Sequence, residues 1–220
     1  MRDLQDLEIF EIELLDLLRR ISVLDSLHFG GGTMLRLCHN LNRFSTDLDF
    51  WLKAGIDAKT IFKRISLPLN EKYSVVDAAN KRHTILFEIR SPASHRSLKL
   101  EIRKNESRYD TERKIAFSKY TSMQVMVHGL TLRQMMQNKI EALLSRKLIR
   151  DCFDIEFLFM RGMELPSDQK ILAQMLEIIE SFRDLDYRVT LGSILLDADR
   201  KVTSLRRFNL LREEITARLR

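Results

Sequence analysis

The side chains best suited to chemistry lie between residues 29 and 52. Asp47-Leu48-Asp49-Phe50 alternates acid and apolar residue. On a strand, successive side chains point to opposite faces, so Asp47 and Asp49 share one face and Leu48 and Phe50 the other. Two carboxylates about 7 Å apart on one strand face can converge on one or two divalent cations. Upstream, Gly30-Gly31-Gly32-Thr33 gathers three of the seven glycines into one run. Glycine lets backbone N–H groups come close to a phosphate.

These residues need elements to hold them. Leu27-His28-Phe29 is predicted as a short strand entering the glycines. Met34, Leu35, Leu37, Cys38 and Leu41 then follow a helical period. The glycines therefore form a strand-to-helix turn, and backbone donors at a helix N-terminus favour anions. Thr33 is expected either to cap that helix or to touch a phosphate through its hydroxyl. Residues 40–43 form the loop to the next strand, whose one face carries Ser45, Asp47 and Asp49. The neighbours Leu48, Phe50, Trp51 and Leu52 argue against an exposed edge strand.

Before this core, Leu4, Leu7, Phe10, Leu14, Leu17, Leu18 and Ile21 mark an amphipathic helix of about five turns, with no chemistry assigned to it. After it, residues 57–67 are predicted helical and ended by Pro68. Strands are expected over 73–76, 84–89 and 97–102, with a turn at 91–94. In the last strand Leu98, Leu100 and Ile102 face one way and Lys99, Glu101 and Arg103 the other. Residues 105–119 are expected to be a connecting loop, and 121–127 a returning strand. Beyond Gly129 the pattern turns helical, with Thr131 as N-cap of the first helix.

Gly31-Gly32-Thr33-Met34-Leu35 followed by Arg43-Phe44-Ser45-Thr46-Asp47-Leu48-Asp49-Phe50 resembles motif I of the AbiEii/AbiGii-type nucleotidyltransferases. Those are toxins of bacterial toxin–antitoxin systems, within the polymerase-β-like superfamily. Asn138-Lys139-Ile140-Glu141-Ala142-Leu143, with Arg150-Asp151 and Asp154, resembles the family's second signature. The likeness is carried by residues 27–52 and 134–158; His39-Asn40-Leu41-Asn42 and Asn138 depart from the common pattern.

The resemblance implies an α+β fold with a polymerase-β-like lobe, a mixed sheet and a helical C-terminal lobe. Residues 1–128 would form the catalytic lobe and 129–220 a helical lobe closing the nucleotide site. Asp47 and Asp49 would hold Mg²⁺, with a third carboxylate from a neighbouring strand, Glu101 first and Glu88 in reserve. Glu101 could equally pair with Lys99 or Arg103 at the surface. Gly31, Gly32, Thr33, Arg43 and Ser45 would line the nucleotide. Lys139 would hold the triphosphate from the edge of a packed face, and Arg150, Asp151 and Asp154 would order the pocket or the adjacent helix; Asp151 could instead be an N-cap. The implied partners are an NTP, a tRNA acceptor and a cognate antitoxin.

Composition sets bounds. A chain of 220 residues with 45% hydrophobic and 31% charged residues is expected to be globular, with one good core or two small lobes. No apolar run is long enough to span a bilayer and no secretory signal appears, which points to the cytoplasm. Cys38 and Cys152 are expected as reduced thiols, and the five histidines lack zinc-ligand spacing. The net charge of +6 suits nucleic acid or nucleotides. Arg200, Lys201, Arg206, Arg207, Arg212, Arg218 and Arg220 suggest a cationic helical surface, either a solvated face or an RNA track.

Three rival readings remain. The same chemistry could act on a small molecule or a protein side chain. The pocket could bind nucleotide without turning it over. Or the chain could be a basic RNA- or partner-binding protein in which Asp47 and Asp49 are structural.

Overall fold

The computed structural model describes residues 2–105 and 107–220. They divide into a sheet unit ending at Thr131 and a helical unit starting at Leu132.

The sheet unit opens with α1 (Arg2–Arg20), whose apolar stripe is buried from Leu4 to Leu18. Then come β1 (Leu27–Gly30), α2 (Gly31–His39), β2 (Asp47–Leu52), α3 (Ala58–Lys72), β3 (Ser74–Asn80), β4 (Thr84–Arg90), β5 (Leu98–Arg103), β6 (Thr111–Phe117) and β7 (Gln124–Leu130). The seven strands form one mixed sheet in the order β3-β4-β5-β2-β1-β7-β6. β2 pairs parallel with β5 and β1 parallel with β7; the other neighbours are antiparallel.

Alternation splits this sheet into two faces. Phe29, Leu48, Phe50, Ile85, Phe87, Ile89, Leu98, Leu100 and Ile102 are buried on one face, where α1, α2 and α3 pack. Phe29 and Phe50 are register partners and stack with ring centroids 4.9 Å apart. Asp47, Asp49, Lys99, Glu101 and Arg103 occupy the other face. β2 is a central strand, as its apolar neighbours require.

Three predicted elements change. Pro68 lies inside α3 and does not end it. A proline inside a helix costs about 3 kcal/mol, and fully buried Ile65 and Leu69 on either side of it offset that by holding the turn on the sheet. Residues 111–117, expected as loop, form β6. This is an edge strand in which only Ala116 is buried, so it carries no apolar alternation to be recognised by. Helix α2 begins at Gly31 with Gly30 as N-cap, so Thr33 lies within the first turn.

The helical unit contains α4 (Leu132–Arg146), α5 (Ile149–Met160), α6 (Gln169–Ser181), a short π-helix (Asp186–Leu191), α7 (Asp197–Arg206) and α8 (Asn209–Leu219). A sharp turn separates α7 from α8. Arg207 and Phe208 adopt left-handed φ of 44° and 56°, which turns the Phe208 ring in against Tyr187 and Phe182. Leu148 caps α5, so Asp151 is not its N-cap.

Candidate nucleotidyl-transfer site

Register decides which acids meet. Asp49 is paired with Glu101 and Asp47 with Lys99 across the parallel β2–β5 ladder. Paired residues on neighbouring strands share a face at roughly 5 Å, so Glu101 stands beside Asp49. Glu88 lies one strand further out, opposite Lys99, and accepts a 2.7 Å hydrogen bond from Ser97. Arg103 Nη2 lies 3.8 Å from Asp49 Oδ1 and stacks over the Trp51 ring at 5.0 Å. Among the described residues no three His, Cys, Asp or Glu side chains are placed closely enough to hold a metal ion. The register puts the carboxylates of Asp47, Asp49 and Glu101 on one face of two adjacent strands, and carboxylate oxygen is the ligand type that Mg²⁺ prefers.

The glycine turn is shaped around these side chains. Gly31 has φ +74°, and a Cβ there would lie 2.2 Å from Asp49 Oδ2. Asp49 therefore sits against the first residue of α2, where unpaired N–H groups and the helix dipole favour negative charge. A Cβ on Gly32 would meet Arg43 Nη2 at 2.6 Å and Ser45 Oγ at 2.8 Å. Gly31, Gly32, Arg43, Ser45 and Asp49 are thus brought together.

Two of these residues work inward. Thr33 is fully buried, and its hydroxyl donates to the Asp47 carbonyl at 2.6 Å. Its side chain ties α2 to β2, and its backbone N–H is what it offers at the helix start. Arg43 is 2% exposed and donates to the Phe44 carbonyl at 2.9 Å.

Two further acids, not expected at the site, sit beneath this turn. Glu8 and Glu11 on α1 are both buried. Glu8 accepts from Arg36 Nε at 2.8 Å and from Ser118 Oγ at 2.6 Å. Burial pushes the Glu11 carboxyl well above the ordinary carboxylate range; Glu8 and Asp47 push the same way, while Arg36 and a hydrogen bond with Thr33 pull back. A signal was present. Glu11 stands four residues after Leu7 and three before Leu14, inside the apolar stripe, where an acid needs a partner.

Within the helical unit, Lys139 does not emerge at the edge of a packed face. It is 6% exposed, and its Nζ lies 2.6 Å from Asp154 Oδ2 and 3.3 Å from Asp151 Oδ1. Asp151 also accepts a two-pronged bond from Arg146, at 2.7 and 2.8 Å. Asp151 and Asp154 are fully buried, and the four charges sum to zero. Arg150, in the first turn of α5, is half-buried. The C-terminal arginines are largely paired as well. Arg200 meets Asp197 at 3.0 Å, Arg207 meets Asp184, Arg212 meets Glu180 at 3.7 Å and Arg218 meets Glu214 at 2.7 Å.

Burial pushes the thiol of Cys38 up to about 12, and Cys152 is raised as well; both are free cysteines. No helix among the described residues is long and apolar enough to cross a membrane.

Comparison with known proteins adds the following. A family model described as nucleotidyl transferase AbiEii toxin, type IV TA system, matches residues 14–219. No curated protein matches. The crystal structure of JHP933 from Helicobacter pylori superposes with a TM-score of 0.54 at 18% identity, covering 94% of each chain. An H. pylori protein proposed to be a nucleotidyltransferase superposes at 0.55 with 16% identity, covering 94% of this chain and 96% of that one. At those identities the likeness shows the fold, an α+β architecture around a mixed sheet.

Proposed function

This chain belongs to the AbiEii family of nucleotidyl transferase toxins of type IV toxin–antitoxin systems, and we propose that it moves a nucleoside monophosphate from an NTP to a hydroxyl acceptor in a metal-dependent reaction. The family carries with it a nucleotide substrate and a cognate antitoxin. We further propose that the acceptor is the end of a tRNA and the site of action the cytoplasm.

The observation that carries this reading is the register of Asp49 against both Glu101 and the start of α2. Asp47 and Asp49 would hold Mg²⁺, with Glu101 as the third oxygen donor. Such an ion supplies charge neutralisation and a Lewis acid for phosphoryl transfer. The N–H groups of Gly31, Gly32 and Thr33 would donate to the phosphates, where the helix dipole favours them. Ser45 and Arg43 hold the turn that aims those donors. Glu101 would accept the proton of the attacking hydroxyl at its carboxylate. Lys139 is buried in the helical unit with its charge balanced by Asp151 and Asp154, so in this proposal Lys139, Arg150 and Asp154 take no part in holding the triphosphate.

The deciding experiment offers each α-labelled NTP separately with Mg²⁺, with and without total RNA, and runs Asp47→Asn alongside. Label in the tRNA band from wild type only supports the full reading. Label on protein moves the acceptor to a protein side chain. Equal labelling by Asp47→Asn sinks the assigned site.

A further inference from the structure

One row of side chains crosses the open face of the sheet beside the acids. Arg103 is the register partner of Trp51, and Trp51 of His28. Phe29 pairs with Gly129 on the parallel β1–β7 ladder, which sets His28 level with His128. His128 in turn pairs with Arg113 on β6. Register partners share a face, so Arg103, Trp51, His28, His128 and Arg113 line up across five strands on the face that carries Asp49. Four strand spacings give the row a length of about 19 Å. It holds no carboxylate. Asp49 and Glu101 form the next row, about 7 Å away along the strands.

These side chains suit a phosphate-bearing strand. Arg103 is anchored over the Trp51 ring at 5.0 Å, with its side chain 46% exposed. Its Nη2 is 3.8 Å from Asp49 Oδ1, too far for a hydrogen bond, and a guanidinium fork matches a phosphate. Arg113 is exposed at the far end, where it lines a cavity of about 300 Å³ together with Arg19, His128 and Asp25. Two guanidiniums against one acid favour an anion there. Between the two ends of the row, the half-buried Tyr109 ring lies 5.6 Å from Trp51 and 6.3 Å from His28. A single strand engages such a surface by laying phosphates on the cations and stacking bases on the rings.

The row and the glycine turn lie on opposite sides of Asp49. Gly30 is the partner of Asp49 on the antiparallel β1–β2 ladder, and the chain runs on from Gly30 toward the Asp47 end, whereas His28 and Trp51 lie toward the other end. In phosphoryl transfer the attacking and leaving oxygens are roughly in line. A triphosphate on the glycine turn therefore leaves the row's side of Asp49 for the acceptor. We propose that this row seats the acceptor as a single-stranded polynucleotide: Arg103 and Arg113 hold its phosphates, Tyr109 stacks a base, and its 3′ end reaches Asp49 beside Arg103. Stacked nucleotides rise about 3.4 Å each, so about five or six cover the row. The placing of the 3′ end rests on the nucleotidyl-transfer reading of Asp49. The binding of the strand does not.

The test measures binding apart from transfer. A fluorescein-labelled single-stranded RNA of about eight nucleotides is titrated with the full chain, without NTP, and followed by anisotropy over a salt series. Wild type should bind. Arg103→Gln and Arg113→Gln should each weaken binding about fivefold or more at low salt and reduce the salt slope by about 0.7. Tyr109→Ala should weaken binding by a similar factor with the slope unchanged, and Tyr109→Phe should stay within about twofold of wild type. Lys63→Gln removes the same charge from an exposed site on α3, over the opposite face of the sheet, and should change neither quantity. An equal loss from Lys63→Gln overturns the proposal, because binding would then follow net charge alone. So does wild-type affinity and slope in both arginine variants, or no binding by wild type at the lowest salt; unchanged affinity in Tyr109→Ala overturns the stacking contact. RNA held through both arginines, with no nucleotide transferred to any acceptor, leaves the strand site standing and removes the transfer reading. Transfer to a protein or small molecule, with both arginine variants binding RNA as wild type does, removes the strand site and leaves the transfer reading.

Discussion

Asp47, Asp49 and Glu101 on the sheet keep part of their surface in solvent, with the Asp49 side chain 21% exposed. In the helical unit Asp151 and Asp154 keep none, and the Lys139 side chain 7%. Both regions gather charge, but with opposite balance. The sheet face sets three acids side by side against Lys99 and Arg103 at its margin. The helical cluster closes two acids with two cations. A partly solvated group of like charges lowers its energy by taking up a cation. A buried, balanced cluster is already satisfied, and removing one member leaves a charge stranded in a medium that solvates it badly. Charge density alone therefore does not mark a binding site.

The sharpest way to break this contrast is Asp49→Asn. Transfer should fall by about 10³-fold or more, the scale of losing a group that stabilises transition-state charge, with the thermal midpoint nearly unchanged. Retained transfer would move the chemistry off the sheet. Lys139→Ala should behave in the opposite way, destabilising the fold by about 3–5 kcal/mol as buried Asp154 loses the cation 2.6 Å away while Asp151 is left with Arg146. Urea unfolding measures it, and a loss under about 1 kcal/mol would show that the cluster is not the closed unit described. For this reason the alanine variant is a poor probe of catalysis. Gly31→Ala forces a side chain into φ +74° and against Asp49. It should cost about 1–3 kcal/mol of stability and lower transfer as well; a silent variant would mean that Asp49 swings away freely.

The smallest effect is a pH dependence. Glu11 has its folded pKa raised by burial above its ordinary value of 4.5, so the folded chain binds the proton more tightly than the unfolded one. Stability from this group is fully present below about 4.5 and is lost as pH rises toward the folded value. Glu11→Gln has no such proton to lose. Its stability relative to wild type should grow as pH is raised above 4.5, and a gap that is constant with pH would show that Glu11 is ionised in the fold.

Much of the sheet unit was legible from local pattern. The alternation in β2 and β5 announced which residues share a face, because a strand's period is two whatever it packs against. The edge strand β6 was not legible, since an edge strand buries too little to need apolar alternation. Pro68 misled because local propensity was outweighed by the burial of the residues around it. Side-chain types and their spacing singled out Asp47 and Asp49 as candidates, but acids on two strands competed for the third place.

By itself, the sequence determined the strand-to-helix turn, the paired aspartates and their shared face. These depend on residues close together in the chain and on fixed backbone periods. Tertiary structure decided the rest: that β5 lies beside β2 in a register that sets Glu101 and not Glu88 next to Asp49, that Lys139 is enclosed by Asp151 and Asp154, and that Glu11 reaches the glycine turn. Each of those is a pairing between residues distant in sequence. Strand order, helix contact and burial choose such partners, and no local period encodes them.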